Sequence, residues 1–241
     1  MKGNYLYSIF CILLIAVSCC FFTASFKAGE DLVSSQLEAE AATSGPTGYI
    51  VRSSLTEGES PFGSAFIILS VDGDEELILA AFRNQLLREE VLTFFEGITG
   101  SREVADLILF YCSIYDIPPA LAFSLCAEES GYHIRAYNRN QNETVDRGLF
   151  QLNSASFPKL NVEDFYNPAT NVRYGLAHLR WCLETAGTDV AALAMYNAGE
   201  TKVRSVGAPK KTLDYVSRIL KRQRKIEGLF MAEYVKFFNL Y

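Results

Sequence analysis

Histidine is nearly absent from this sequence. Its 241 residues hold only His133 and His178, too few and too isolated for a zinc cluster. Cysteine is scarcely richer where it matters. Of six cysteines, Cys11, Cys19 and Cys20 fall within the first 26 residues, and Cys112, Cys126 and Cys182 remain as an odd set embedded in apolar helical patterns. They read as small buried hydrophobes rather than a disulfide framework or metal site. One disulfide stays open in an oxidising compartment, and sequence does not choose the pair. Basic charge is also short, with 22 Lys and Arg against 28 Asp and Glu for a net charge of -6. The one dense basic run, Lys221-Arg222-Gln223-Arg224-Lys225, reads as a solvated helix face, so the charge balance argues against a nucleic-acid partner. No internal repeat is present. What the chain does have is apolar content, 49% of residues, enough for one good core with accessory sequence.

The N-terminus carries Lys2 and then no charge until Lys27, with the apolar stretch Ile9 to Phe22 followed by Thr23-Ala24-Ser25. This reads as a secretory signal, and the expected location is outside the cytoplasm, in the periplasm or cell envelope. Two variants of membrane association through this segment are open. Ala16-Val17-Ser18-Cys19 loosely resembles a lipoprotein box with Cys19 lipidated, and the uncharged stretch Gly3 to Phe26 is just long enough for an uncleaved anchor.

Residues 27–64 have linker composition, rich in Ser, Glu, Ala, Gly and Thr. An accessory segment, 65–100, comes next: the apolar run Ala65-Phe-Ile-Ile-Leu69, then the turn Asp72-Gly73-Asp74 opening one long helix to about Glu96, which Gly97 and Gly100 end. Ser101 caps a helix with the stripe Val104, Leu107, Ile108, Tyr111 and Tyr115. Pro118-Pro119 starts a short helix, since proline is tolerated in a first turn. Asn138 to Asp146 has loop composition and leads into Arg147-Gly-Leu-Phe-Gln-Leu-Asn153. Asn167-Pro168 opens a helix carrying Val172, Leu176, Leu179 and Leu183, Gly187-Thr188 separates it from a helix over 190–197, and Ala198-Gly199 stops that one. Leu213, Val216 and Leu220 mark one more helix, and 221–241 is expected to be a helical tail with Leu229, Phe230, Tyr234, Phe237 and Phe238 on its apolar face.

The stretch that organises the chain is Ala120-Leu-Ala-Phe-Ser-Leu-Cys-Ala127, an apolar helix that ends on Glu128 and Glu129. A helix apolar almost all round belongs in a core, and a carboxylate placed there is desolvated. Desolvation raises a carboxyl pKa toward neutrality, as a general acid requires. Neighbouring helix positions point about 100 degrees apart, and geometry alone does not decide between the two glutamates.

Four segments, Glu129-Ser130, Gly148-Leu-Phe-Gln-Leu152, Asn167-Pro168 to Gly175, and Ala194-Met-Tyr-Asn-Ala-Gly199, resemble in order and spacing the catalytic domain of lytic transglycosylases, the goose-type-lysozyme-like, SLT-type enzymes that cleave peptidoglycan. The likeness covers residues 101–220, with Pro118-Pro119 and the late pair Thr212 and Tyr215 also in register. Phe150 departs from it, standing where the family usually has methionine. The resemblance implies an all-α lysozyme-like domain, no cofactor, and peptidoglycan glycan strands as substrate, with cell-envelope machinery as a candidate partner. It implies Glu129, the glutamate before serine, as catalytic acid, with Glu128 a solvated or ion-paired neighbour. It also implies Ser130, Gln151, Tyr196 and Asn197 beside the sugar, with Gly148 allowing close backbone approach to it. The expected reaction is cleavage of the MurNAc-GlcNAc β-1,4 bond by the muramic acid 6-hydroxyl, giving a 1,6-anhydro product. The rivals are a hydrolytic muramidase and a non-catalytic glycan-binding or assembly protein of the same fold. Asp146 is the candidate water-positioning acid for hydrolysis, against the plainer reading that it bonds its own backbone.

Overall fold

The computed structural model describes residues 48–53, 65–70 and 76–236. The chain divides into two units, Tyr49–Phe237 and Met1–Gly48 with Phe238–Tyr241, and every helix among the described residues belongs to the first. The export segment with Cys11, Cys19 and Cys20, most of the linker, the Asp72-Gly73-Asp74 turn, and Phe237 and Phe238 lie outside the described residues.

The fold is all-α and lysozyme-like, with two small sheets. Strand β1 (Gly48–Ser53) lies between β2 (Ala65–Ser70) and β6 (Val235–Lys236), antiparallel to β6 with Ile50 opposite Lys236. Helix α1 (Leu77–Arg83) is capped by the Glu76 carboxylate, which accepts from the Leu79 N–H at 2.8 Å, and α2 (Arg88–Thr99) ends on Gly100 at φ 70°. The single long helix expected here is therefore broken. Asn84 closes α1 in an extended conformation while its Oδ1 accepts from the Leu86 N–H at 2.9 Å, a local bond that competes with helix continuation. The break drops Leu87 into the core and leaves Leu86 exposed. Gly97 does not end the helix but lies inside it.

Helix α3 (Arg102–Tyr115) is capped by Ser101, and Pro118 and Pro119 open α4 (Pro119–Ser130). Every residue of α4 from Pro119 to Cys126 is buried, as its all-round apolar sequence requires, and each large side chain contributes about 2 kcal/mol by leaving water. Its one buried hydroxyl, Ser124, donates to the Ala120 carbonyl at 2.7 Å, and Phe123 stacks on Phe95 of α2 with centroids 4.0 Å apart. Gly131 at φ 59° ends the helix.

The polar stretch after α4 is not a loop. It forms a hairpin of β3 (Tyr137–Arg139) and β4 (Val145–Arg147), extended by β5 (Leu152–Asn153), with Asn138 opposite Asp146 and Asp146 opposite Asn153. Short polar strands with no buried face give no period-2 signal, so the pattern concealed them. After α5 (Val162–Tyr166), Asn167 caps and Pro168 begins α6 (Pro168–Ala186), and Thr188 caps α7 (Asp189–Ala198). Gly199, at φ 84°, both ends α7 and starts α8 (Glu200–Val206). Helix α8 buries no residue, so no apolar stripe announced it. Helix α9 (Lys210–Tyr234) runs unbroken through residue 220, merging the expected last helix and tail. Its buried face is Thr212, Tyr215, Val216, Ile219, Ile226 and Phe230, and it packs on α4. Leu213 and Leu229, assigned to that face from sequence, point outward at 49% exposure each. The thiols of Cys112, Cys126 and Cys182 are free and buried. No helix among the described residues is long and apolar enough to cross a membrane.

Candidate active site

A cleft of about 680 Å³ opens at the C-terminal end of α4. Glu129 and Ser130 form its floor, the β3–β4 hairpin with Gln151 forms one wall, and residues from α7 to the start of α9 form the other. Helix α4 places Glu129 at the edge of the core, where desolvation pushes its carboxyl from 4.5 up to about 7; the hydroxyl of Tyr215 on α9, donating to Oε1, pulls the other way, and the charges of Asp146 and Glu128 add to the rise. The site therefore holds a carboxyl that is half protonated near neutral pH.

Glu128 turns away from the cleft. Its Oε1 accepts from Arg218 Nη2 at 2.6 Å and Nε at 2.8 Å, and its Oε2 lies 3.4 Å from Arg222 Nη1, so it is an ion-paired neighbour tying α4 to α9. The carboxylate that shares the cleft with Glu129 is Asp146, and it does not bond its own backbone as expected of a loop aspartate. Its oxygens accept the side-chain amides of Asn153 at 2.6 Å, Asn140 at 2.8 Å and Asn138 at 3.4 Å. It is the hub that pins the hairpin wall.

Of the expected sugar-contacting residues, Ser130, Gln151 and Asn197 line the cleft. Ser130 donates to the Cys126 carbonyl at 3.2 Å, and Gln151, at φ 47°, donates through Nε2 to the Gly148 carbonyl at 3.0 Å. Asn197 Oδ1 accepts from the Thr212 hydroxyl at 2.9 Å, which leaves its amide hydrogens for a ligand. Tyr196 and Gly148 are not among the lining residues. Tyr196 packs against His178 and donates to the Phe150 carbonyl at 3.0 Å, supporting the segment that carries Gln151 from behind. Gly148, at φ 77°, makes room for protein rather than sugar: a Cβ there would lie 2.2 Å from Asn171 Nδ2 and 2.4 Å from the Phe165 carbonyl oxygen.

Sequence reasoning missed Asn171. Buried on α6, it accepts the Phe150 N–H at 2.8 Å and donates to the carbonyls of Arg147 at 3.0 Å and Phe165 at 2.8 Å. These three bonds fix the Arg147 to Gln151 segment over the helix. Nothing in a helical stripe distinguishes an inward amide from an exposed one, although its place one turn after the Asn167-Pro168 start was visible. Lys202, Lys211 and Tyr137 also line the cleft and were not singled out. Among the described residues no group of three His, Cys, Asp or Glu side chains could hold a metal ion.

An all-α, lysozyme-like domain with a desolvated carboxyl at the floor of a polar cleft has the build of a glycosidic-bond-cleaving enzyme. Residues 106–218 match the family model Transglycosylase SLT domain, and this part of the chain is an SLT-type lytic transglycosylase domain. Protein IpgF of Shigella flexneri is 27% identical over 118 residues, 46% of this chain and 75% of that protein. Invasion protein IagB of Salmonella typhimurium strain LT2 is 25% identical over 135 residues, 54% of this chain and 82% of that protein. The structure of an inactive mutant of lytic transglycosylase Slt from Pseudomonas aeruginosa aligns with a TM-score of 0.44 at 19% identity, over 68% of this chain and 33% of that one. The chain thus spans about a third of that solved chain.

Proposed function

We propose that this protein is a peptidoglycan lytic transglycosylase in which Glu129 is the catalytic acid and base. The observation that carries the reading is the Glu129 carboxyl itself, raised to about 7 at the cleft floor. In its protonated form it donates to the oxygen linking MurNAc to GlcNAc as the bond to C1 breaks. The resulting carboxylate then takes the proton of the muramic acid 6-hydroxyl as that oxygen bonds to C1, so water is not consumed and one carboxylate serves both steps. An internal nucleophile removes the entropy cost of recruiting a water. Gln151, Asn197 and Ser130 supply polar groups along the cleft to orient the sugar, with Tyr196 and Gly148 supporting the segment that carries Gln151. Asp146, its oxygens taken up by three asparagine amides, suits a wall-building role better than positioning water. The remaining assignments belong to the same proposal: an export or anchoring segment at 1–26, a linker at 27–64, an accessory segment at 65–100, the catalytic domain at 101–220 and a helical tail at 221–241, with action in the cell envelope.

The test is mass spectrometry of muropeptides released from purified peptidoglycan by the full chain and by Glu129→Gln and Glu128→Gln. The expected products are lighter than hydrolysed ones by one water, absent with Glu129→Gln and retained with Glu128→Gln. Reducing-end products would replace the transglycosylase by a muramidase. Loss of product with Glu128→Gln and its retention with Glu129→Gln would overturn the assignment of the acid.

A further inference from the structure

The two walls of the cleft differ in charge. The hairpin wall carries asparagine amides, the ring of Tyr137 and the Asp146 carboxylate, whereas the opposite wall presents Lys202 of α8 and Lys211 of α9. Their neighbours are neutralised, Arg204 by Glu200 at 2.8 Å and Lys210 by Asp214 at 2.7 Å. Lys202 and Lys211 have no such ion pair among the described residues. Lys211 also sits in the first turn of α9, where no acidic residue stands. A cation there adds to the positive end of the helix dipole instead of offsetting it. In a chain of net charge -6, two exposed ammonium groups left without an acidic partner on one side of a cleft suit an anion. Asp146 repels that anion from the hairpin, which directs it to the lysine wall.

We infer that Lys202 and Lys211 form a carboxylate-binding subsite that recognises glycan strands by their acidic substituents. This inference rests on reading the cleft as a glycan site. A lysine ammonium is a compact charge with three rotatable donors, suited to a carboxylate on a flexible arm. Peptidoglycan offers two sources of that chemistry: the carboxylates of the stem peptide, and the lactyl carboxylate of muramic acid, which is free only where the peptide has been removed.

The experiment measures binding by titration calorimetry in the Glu129→Gln background of the full chain, with soluble peptide-bearing strands and with the same strands stripped of peptide. Lys202→Gln with Lys211→Gln is expected to weaken binding about tenfold on at least one substrate, in proportion to the loss of two charge-assisted contacts. Loss on peptide-bearing strands alone assigns the stem, loss on stripped strands alone assigns the lactyl group, and loss on both assigns each. Lys210→Gln, whose ammonium is held by Asp214, is expected to leave affinity within about twofold. Unchanged affinity in the double variant, or an equal loss in Lys210→Gln, overturns the subsite. Turnover by the Glu129-containing chain on the same strands separates the two readings. Anhydro product with lysine-independent binding refutes the subsite alone, lysine-dependent binding without product refutes the reaction alone, and no binding to either strand refutes both.

Discussion

Replacing Tyr215 with phenylalanine removes the hydroxyl that donates to Glu129 Oε1 and little else, because the ring is 6% exposed and keeps its shape. That hydroxyl favours the ionised carboxyl and opposes the desolvation that lifts it to about 7. A hydrogen bond to a charged group contributes on the order of 1.5–3 kcal/mol, and 1.4 kcal/mol corresponds to about one pH unit. The Glu129 titration therefore moves up by roughly one to two units. At pH 7 the carboxyl passes from about half protonated to more than nine-tenths. The assay is the pH dependence of kcat/KM on solubilised glycan strands, whose alkaline limb reports the proton donor of the free enzyme. The limb is expected near pH 7 in the unaltered protein and near pH 8 to 9 in Tyr215→Phe. A limb that stays in place, or moves down, refutes the role given to this hydrogen bond and to Glu129 as the titrating acid.

The same geometry sets three further outcomes. Because the folded pKa of Glu129 is raised from 4.5 to about 7, the folded state holds the proton more tightly, and this residue's contribution to stability is full below pH 4.5 and is lost as pH rises through 7, in the same window as that of Glu76. Glu129→Gln removes that contribution, leaving the one from Glu76, and should stabilise the fold at pH 8.5 by on the order of 3 kcal/mol with little effect at pH 4; urea melts at both pH values check this, and equal effects at both would contradict it. Asn171→Ala strands the Phe150 N–H and two carbonyls in the interior and should cost about 3 kcal/mol, read by chemical denaturation, a cost near zero showing that the three bonds do not organise the segment. Gly175→Ala would set a Cβ 2.4 Å from Phe150 Cβ and Cγ and should lose about 1–3 kcal/mol by overpacking, with no loss in thermal melts meaning that Phe150 moves freely.

Much of the frame could be read because it is written in local chemistry. Ser101, the Pro118-Pro119 pair and Asn167-Pro168 stand at helix starts as their residue types require, and the apolar run from Ala120 is the buried α4. Elements lacking an apolar face escaped: α8 buries nothing, and the hairpin is held by asparagine amides and a carboxylate rather than by alternating hydrophobes. The break at Asn84 depends on a side-chain bond to Leu86 that competes with a good helical pattern. In the site, the family resemblance picked out Ser130, Gln151 and Asn197, and all three line one cleft. It did not say which residue faces the cleft and which faces protein, so Gly148, two places after Asp146, and Tyr196, next to Asn197, proved to support the wall from behind. That distinction is set by contacts such as Asn171 to Arg147, 24 residues apart in the chain.

The raised carboxyl does not by itself identify the site. Glu76 is also lifted to about 7, again chiefly by burial, and like Glu129 it borders an apolar helical run. Its oxygen, however, accepts the Leu79 N–H as the cap of α1, a role in which the ionised form is the useful one. Loss of hydration at Glu76 works against that role. At Glu129 the partner is a phenol reached from α9 and the other side is the cleft, so the same loss of hydration keeps a proton at the cleft, as the proposed role of this carboxyl requires. What separates the two is which neighbours surround the carboxyl, and that is decided by α9 returning along α4 to place Tyr215 beside Glu129 and Arg218 beside Glu128. The two adjacent glutamates receive opposite partners from one helix face, a phenol for the residue at the cleft and guanidinium groups for the one outside it. A guanidinium against Glu129 would hold its carboxyl ionised and empty it of the proton that the proposed reaction needs.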